Sequence, residues 1–311
     1  MSIRILTIGY AEYGVIMNMD EVPASGQTVS GKDYRYTPGG RGGIAAVTMK
    51  KLGADSIFCA RLGNDENSER LLGYYDDLGI DTRYITRDRN VPTGFSVVMN
   101  DFRGGVHTVE YKGANVNFGR EELEGAFMTY PDALFLQFEL PDREIVASTR
   151  FAKRQDIPVF VDAGPNRLNF PLEMLENVEI FTLDDEEMAY YTGIFPSDPD
   201  KCLRSAAALA SKVNSKYIVL KLGSKGSFVY DGTYYYVVPS YDTTFIDKGG
   251  AGDVFSASLS YEYLRHKDIE KACKFANLAA ALTVSKNGTY SSIPSRVEIE
   301  DFANRLGVSL N

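Results

Sequence analysis

From Ala133 to Leu222 short strand-like runs alternate with longer helix-like ones, and this alternation limits the fold more than any other feature. The strand-like runs are Ala133–Phe138, Val159–Asp162, Glu179–Leu183 and Tyr217–Leu222. Helix-like runs at 142–154, 184–192 and 199–213 lie between them. A helix that joins two strands of one sheet carries the chain back to its starting end, so the strands lie parallel. The expectation is an α/β domain with a mainly parallel sheet and crossover helices. A chain of 311 residues, 44% hydrophobic and 24% charged, has ample material for such a core.

The N-terminal half extends the pattern and interrupts it twice. Ser2–Gly9 reads as a first strand ended by glycine. A glycine turn, Gly39 to Gly43 with Arg41 inside it, feeds the helix-like run IAAVTMKKLG, which stops at Gly53. A strand at Ser56–Arg61 and a helix around Ser68–Leu78 follow. Residues 10–38 are polar and aromatic, with short extended pieces at Thr28–Ser30 and Tyr34–Thr37. Residues 93–111 read as a hairpin whose β-rich arms flank Asp101–Gly105. The reading is one domain, 1–311, with a small β lid built from insertions at about 10–38 and 93–112. After a last hairpin, Ser227–Val238, helices are expected at 253–265, 268–285 and from 296.

Charge and cysteine usage narrow the partners. The formal net charge is −9, which leaves no electrostatic footprint for nucleic acid or an anionic membrane surface. Cys59, Cys202 and Cys273 are far apart and lack metal-ligand spacing, which suits a reducing cytosol. No signal-peptide pattern and no run of membrane-spanning length is present, so a cytoplasmic location is expected.

The chemistry concentrates in 245–264, FIDKGGAGDVFSASLSYEYL. Asp247 precedes the turn Gly249-Gly250-Ala251-Gly252; Asp253 follows it and opens a helix-like run. Helix-start amides have no internal partners and carry the positive end of the dipole, so a glycine turn feeding a helix cradles an anion. Asp253 at its rim has two jobs open to it: capping the helix, or taking a proton from a hydroxyl beside the anion. G-x-x-x-x-G-K-[ST] does not occur, and neither G-Y-A-E-Y-G after the first strand nor G-A-G-D-V-F matches G-x-G-x-x-G.

D-K-G-G-A-G-D-V-F at 247–255 resembles the C-terminal signature of the ribokinase-like (PfkB) carbohydrate kinase family. The turn Gly39-Gly40-Arg41-Gly42-Gly43, closing at Leu52-Gly53, resembles that family's N-terminal signature. Asp184-Asp-Glu-Glu187 is similar to its N-x-x-E motif, and Lys221-Leu-Gly-Ser-Lys-Gly226 to its nucleotide-binding turn. Phe275-Ala-Asn277 and Ser285-Lys-Asn-Gly288 resemble the segments beside the adenine. The resemblance covers essentially the whole chain. It implies a three-layer α/β/α domain with a small β-sheet lid, and an ATP-dependent kinase acting on a hydroxyl of a sugar or sugar-like molecule. Asp253 would be the general base, and the amides of Gly250, Ala251 and Gly252 the anion hole. Lys221, Ser224, Gly226 and Asn277 would bind the nucleotide. Asp184 and Glu187 would act on Mg²⁺ through water, although an acidic first helical turn that only satisfies the dipole explains them equally. Oxygens of Asp247, Gly249, Thr283, Lys286, Gly288 and Ser292 would hold a K⁺ ion, and the lid is a candidate homodimer contact.

The departures from the family pattern lie on the substrate side. Relatives carry N-x-D after the first strand; here the residues are Glu12-Tyr13-Gly14. The asparagine expected after the first glycine turn is Ile44. Glu12, Gly39, Gly40, Arg41 and Glu139 are the substrate-binding candidates, with Glu12 a substitute for the missing aspartate. Lys248, Arg103, His107 and Arg167 are open to either a ligand or solvent. A nucleoside acceptor, and a catalytically weak member that only binds ligand, are the alternative readings. A sugar acid or phosphosugar anchored by an arginine is a third acceptor class.

Overall fold

The computed structural model describes residues 2–165, 167 and 169–310. The first half contains β1 (Arg4–Ile8), β2 (Glu12–Met19), β3 (Gly31–Gly39), α1 (Arg41–Leu52), β4 (Asp55–Gly63), α2 (Glu66–Asp77), β5 (Asp81–Asp88), β6 (Gly94–Asn100), β7 (Val106–Tyr111) and α3 (Arg120–Phe127). Then come β8 (Ala133–Gln137), α4 (Asp142–Arg154), β9 (Val159–Asp162), β10 (Val178–Asp184), α5 (Asp185–Thr192), α6 (Pro199–Ala210), β11 (Ser215–Lys221), β12 (Ser227–Tyr230) and β13 (Tyr235–Val238). Four helices close the chain: α7 (Ala251–His266), α8 (Ile269–Val284), α9 (Thr289–Ser292) and α10 (Arg296–Arg305).

Nine strands form one sheet in the order β13-β12-β11-β10-β9-β8-β1-β4-β5. Every neighbouring pair from β11 to β5 is parallel, and only the final hairpin, β12 and β13, runs antiparallel. Strand side chains alternate between faces, and the two faces feed two cores. Ile5, Phe58, Phe135, Phe160 and Val219 pack with α1, α7 and α8. Leu6, Ile57, Leu134, Val161 and Ile218 pack with α3, α4, α5 and α6. The result is the expected three-layer α/β/α sandwich.

The second sheet has four strands, β3-β2-β6-β7. β2 follows β1 almost at once and β3 ends beside α1, so this sheet is tethered at the carboxyl end of β1. The tether is tight. A Cβ on Gly42 would stand 2.7 Å from the Gly9 backbone, and one on Gly40 (φ +85°) would meet the Tyr10 carbonyl at 2.5 Å. Only glycine lets the start of α1 lie against the end of β1 this closely.

Four elements were not anticipated: β2, β5, α3 and the short α9. In β2, EYGVIMNM, buried Gly14 and Ile16 alternate with partly buried Tyr13, Val15 and Met17, and apolar residues on both faces leave no polar–apolar alternation to read. β5 is the sheet edge, and its charged sequence DTRYITRD suits an edge that must resist further pairing. Thr28–Ser30 is not a strand; extended structure begins at Gly31. No helix among the described residues is long and apolar enough to cross a membrane.

Candidate active site

The carboxyl end of the parallel sheet, the N-terminus of α7 and the β2 side of the small sheet converge on Asp253. α7 begins at Ala251, with Gly250 (φ +77°) as its N-cap and no side chain capping it. Asp253 therefore lies inside the first turn, and its carboxylate is turned to other partners. Gln137, the last residue of β8, donates its Nε2 hydrogen to Asp253 Oδ1 at 2.8 Å. Arg41 Nη1 lies 3.8 Å from the same oxygen and 3.9 Å from Glu187 Oε1. The capping alternative does not describe this side chain. Of the neighbouring amides, that of Ala251 turns back to the Lys248 carbonyl at a long 3.3 Å.

Beneath the carboxylate is a second charged pair. Lys221 Nζ donates to Asp162 Oδ1 at 2.9 Å and reaches Ser256 Oγ at 3.5 Å. Ser256 Oγ is in turn 2.9 Å from Thr182 Oγ1. Asp162 is fully buried and Asp253 only 8% exposed, so their charges are held at a desolvation cost that Arg41 and Lys221 offset. Burial pushes the Asp253 carboxyl above its usual range, and the guanidinium of Arg41 pulls it back most. The negative charge of Asp253, in return, raises the pKa of Arg41. A Cβ on Gly164 would displace the ends of the Arg41 and Glu187 side chains, at Arg41 Nη1 and Glu187 Oε1.

Glu187 and Asp184 form a capping box at the start of α5. The Glu187 N–H donates to Asp184 Oδ1 and the Asp184 N–H to Glu187 Oε2, both at 2.8 Å. Glu187 Oε1 remains turned toward Arg41. Burial raises the Glu187 pKa, against the pull of Lys221, so a cation near it would be welcome. Among the described residues no three His, Cys, Asp or Glu side chains gather as a metal cluster. Glu187 Oε1, the oxygen that the capping box leaves over, fits a Mg²⁺ held mainly by phosphates and water.

On the other side of α7 lies a cleft of about 530 Å³, lined by Lys221, Ser224, Gly226, Asn277, Phe255 and Ala281 among others. Lys248 is exposed at its rim. The wall is largely apolar, as the face of a base requires. Asn277 is almost completely buried. Its amide donates to the carbonyls of Val238 and Pro239 at 3.1 Å and to Ser227 Oγ at 3.3 Å. It ties the end of β13 to α8 and so shapes the cleft wall.

The facing side of Asp253 is acidic. Glu12, at the start of β2, lies against Gly39, where a Cβ would come within 2.9 Å of its Oε1. Burial raises its pKa to about 7, and burial raises that of Glu139 to about 8. Glu12 and Glu110 add to the rise at Glu139 while Arg41 opposes it. Glu12 Oε2 and Glu139 Oε2 are buried without a hydrogen-bond partner. Gly14 sits opposite Ser96 in the β2–β6 pair, and a Cβ there would stand 2.5 Å from Ser96 Oγ and 2.9 Å from Ser96 O. Ile44 is buried and reaches within 3.6 Å of a Cβ placed on Gly250. An aliphatic side chain thus lies beside the glycine turn that opens α7.

The candidate monovalent-cation oxygens come from the loop before α7 and from the end of α8 through α9. Asp247 Oδ1 accepts from Gly249 N at 2.9 Å and Oδ2 from Gly288 N at 3.1 Å. The Thr283 carbonyl accepts from Lys286 N and the Gly288 carbonyl from Ser292 N. Ser292 Oγ donates to Thr289 O, and Lys286 Nζ pairs with Glu298. The residues are brought together, with much of their capacity already used. Other candidates lie elsewhere. Arg167 Nη1 donates to the Phe138 and Leu140 carbonyls while its guanidinium pairs with Asp142, and His107 faces Asp101 on the exposed β7 hairpin. Arg103 stacks over Phe102.

Sequence reasoning passed over Gln137, Asp162 and Tyr290. Tyr290 donates from its hydroxyl to the Gly39 carbonyl at 2.9 Å and so fixes the first glycine turn. A glutamine at a strand end, or an aspartate at the end of another, carries no local pattern. Their place at the carboxyl ends of adjacent parallel strands was the one signal available.

Comparison with known proteins agrees with this geometry. A family model described as pfkB family carbohydrate kinase matches residues 2–296. A ribokinase of Arabidopsis thaliana is 27% identical over 306 residues, covering 95% of this chain and 79% of the relative. A Bacillus subtilis ribokinase is 27% identical over 308 residues, covering 96% and 98%. The solved structure of Arabidopsis thaliana ribokinase complexed with ribose and ATP matches with a TM-score of 0.89 at 26% identity, over 97% of this chain and 99% of that one.

Proposed function

The chain belongs to the pfkB family of carbohydrate kinases, and from that premise we propose how its own residues carry the reaction and which acceptor they favour. It is an ATP-dependent kinase that phosphorylates a hydroxyl of a sugar or nucleoside. Asp253 takes the proton of the acceptor hydroxyl. The freed oxygen attacks the γ-phosphorus, the bond to the β,γ-bridging oxygen breaks, and ADP leaves with that electron pair. The amides of Gly250, Ala251 and Gly252 and the guanidinium of Arg41 hold the charge of the transferring group. The apolar cleft at Asn277, with Ser224 and Gly226, receives the nucleotide. Asp184 and Glu187 would hold a Mg²⁺ through water, and that ion would supply neutralisation of phosphate charge.

The acceptor we propose is a neutral sugar, with the orphaned Oε2 atoms of Glu12 and Glu139 taking its hydroxyl hydrogens. A carboxylate or phosphate on the acceptor would be desolvated beside Glu12, Glu139 and Glu110, which disfavours a sugar acid or phosphosugar. The observation that carries the reading is Asp253 itself, buried at a helix start between an apolar cleft and these two glutamates. Asp247, Gly249, Thr283, Lys286, Gly288 and Ser292 form our candidate K⁺ site. We further read residues 1–311 as one cytoplasmic domain whose small sheet is a lid over the acceptor. The lid's exposed Tyr34, Tyr36, Val109 and Tyr111 suit a homodimer contact.

An ADP-release assay over neutral sugars, sugar acids, phosphosugars and nucleosides, with and without K⁺, tests the proposal. Turnover of a neutral sugar, lost in Asp253→Asn by about two orders of magnitude or more with ATP affinity retained, is the expected result. Preferred turnover of an anionic acceptor would overturn the acceptor assignment. ATP binding without turnover of any acceptor would point to a ligand-binding member of the family.

A further inference from the structure

We infer that Gln137 is a positioning residue for the reaction: its side-chain amide fixes the orientation of the Asp253 carboxylate and keeps it ionised. The inference rests on the reading of Asp253 as the base. Gln137 is completely buried at the end of β8. Its Nε2 donates to Asp253 Oδ1 at 2.8 Å, while its own Oε1 has no partner. A buried amide with one unpaired oxygen is costly, so the orientation seen is one in which the bond to Asp253 dominates. Turning the amide over would satisfy nothing further and would set its oxygen against a carboxylate.

The consequence for the base is geometric first. Oδ1 is occupied by Gln137 and faced by Arg41, so the second carboxylate oxygen is the one left to receive a proton. A carboxylate free to rotate would present either oxygen, and part of the advantage of a pre-set orientation would be lost. The second consequence is electrostatic. Asp253 is faced by Arg41 from α1, Asp162 from β9, Glu139 after β8, Lys221 from β11 and Glu187 from α5, which shares Arg41 with it. Burial and the neighbouring acids favour its protonated form. Arg41, Lys221 and the Gln137 amide favour the ionised one. An uncharged donor does this without adding a cation that would compete for the incoming phosphates.

The test is the pH profile of kcat for Gln137→Met, which keeps the volume and removes the donor, checked for folding by its melting curve. Without the amide the Asp253 pKa rises, so the acid limb moves to higher pH. The loss of kcat is therefore largest below the limb, and the smaller loss left above it is the cost of the freed orientation. Gln137→Glu is the second variant, in case Gln137→Met does not fold. Its carboxyl adds a like charge and moves the limb further in the same direction. In an Asp253→Asn background, Gln137→Met costs no additional kcat. An acid limb that superimposes on the parent's, or a loss in kcat equal at every pH, would overturn the inference. Full turnover by Asp253→Asn alone would instead overturn the reading of Asp253, and the two failures are separate measurements.

Discussion

Arg41 and Asp253, drawn from the two glycine turns that open α1 and α7, meet with Arg41 Nη1 3.8 Å from Asp253 Oδ1. The separation is longer than a direct hydrogen bond, which leaves the guanidinium able to serve the carboxylate and an incoming phosphate together. Arg41→Met is expected to lower kcat by about 10²-fold, the usual cost of one electrostatic donor at a transferring group. It also removes the largest influence holding the Asp253 pKa down. The active form is the carboxylate, present above that pKa and lost as pH falls through it, so the acid limb of kcat moves upward. A limb that stays in place in Arg41→Met would show that the two residues are not coupled.

How much of this pair was legible in the sequence depends on the distance of each partner. The turn at 249–252 and the helix after it are a local pattern, and so is the acidic start of α5. Both glycine turns, the parallel sheet and the segments that line the apolar cleft were therefore readable. Gln137 and Asp162 were not, because each matters only through strands that become neighbours in the folded sheet. Arg41 was visible as an arginine in a glycine turn, but its partner was not. β2 escaped because Val15, Ile16 and Met17 put apolar residues on both faces and left no alternation, and with it went the reason for Gly14. That reason is the backbone of Ser96, four strands further along the sequence and adjacent in space.

Gly14 stands where the N-x-D pattern of the family resemblance leads one to expect an aspartate, and an acid introduced there will fail. The Cβ of Gly14→Asp would stand 2.5 Å from Ser96 Oγ and 2.9 Å from Ser96 O. The hydroxyl can rotate away; the carbonyl belongs to the β2–β6 ladder and cannot. The variant is expected to lose about 1–3 kcal/mol of stability, read from urea unfolding. Adding Ser96→Gly removes the closer contact only, so recovery is partial. Full recovery would mean that the strand shifts freely and that steric exclusion does not explain the glycine.

The acidic acceptor side gives a pH-dependent stability with a definite sign. Glu12 titrates near 7 in the folded chain, against 4.5 for an unperturbed glutamate. Between those values the folded state binds more protons than the unfolded one, so this group's contribution falls as pH rises toward 7 and stays low above it. Glu12→Gln removes that loss. Its melting temperature should match the parent's near pH 4.5 and exceed it at pH 8, by no more than about 3 kcal/mol or ~2–4 °C per kcal/mol. Glu139, near 8, keeps a slope of the same sign in the variant. A difference in melting temperature that does not change with pH would remove Glu12 as its source.

Asn277 separates nucleotide binding from chemistry. Its amide spans the Val238 and Pro239 carbonyls and Ser227 Oγ, and it lines the cleft on the far side of α7 from Glu12. Asn277→Ala leaves buried carbonyls without donors, at a cost of about 1–3 kcal/mol. It also loosens the wall that β13 and α8 build together. The expected kinetic result is a higher KM for ATP with kcat and the acceptor KM nearly unchanged, because neither Asp253 nor the glutamates touch this wall. Asn277→Asp is the sharper variant. It keeps the shape but sets a carboxylate against two carbonyl oxygens, so its ATP affinity should fall further than that of Asn277→Ala. Equal ATP affinity in the parent and both variants, by calorimetric titration, would show that Asn277 braces the fold without shaping the nucleotide cleft.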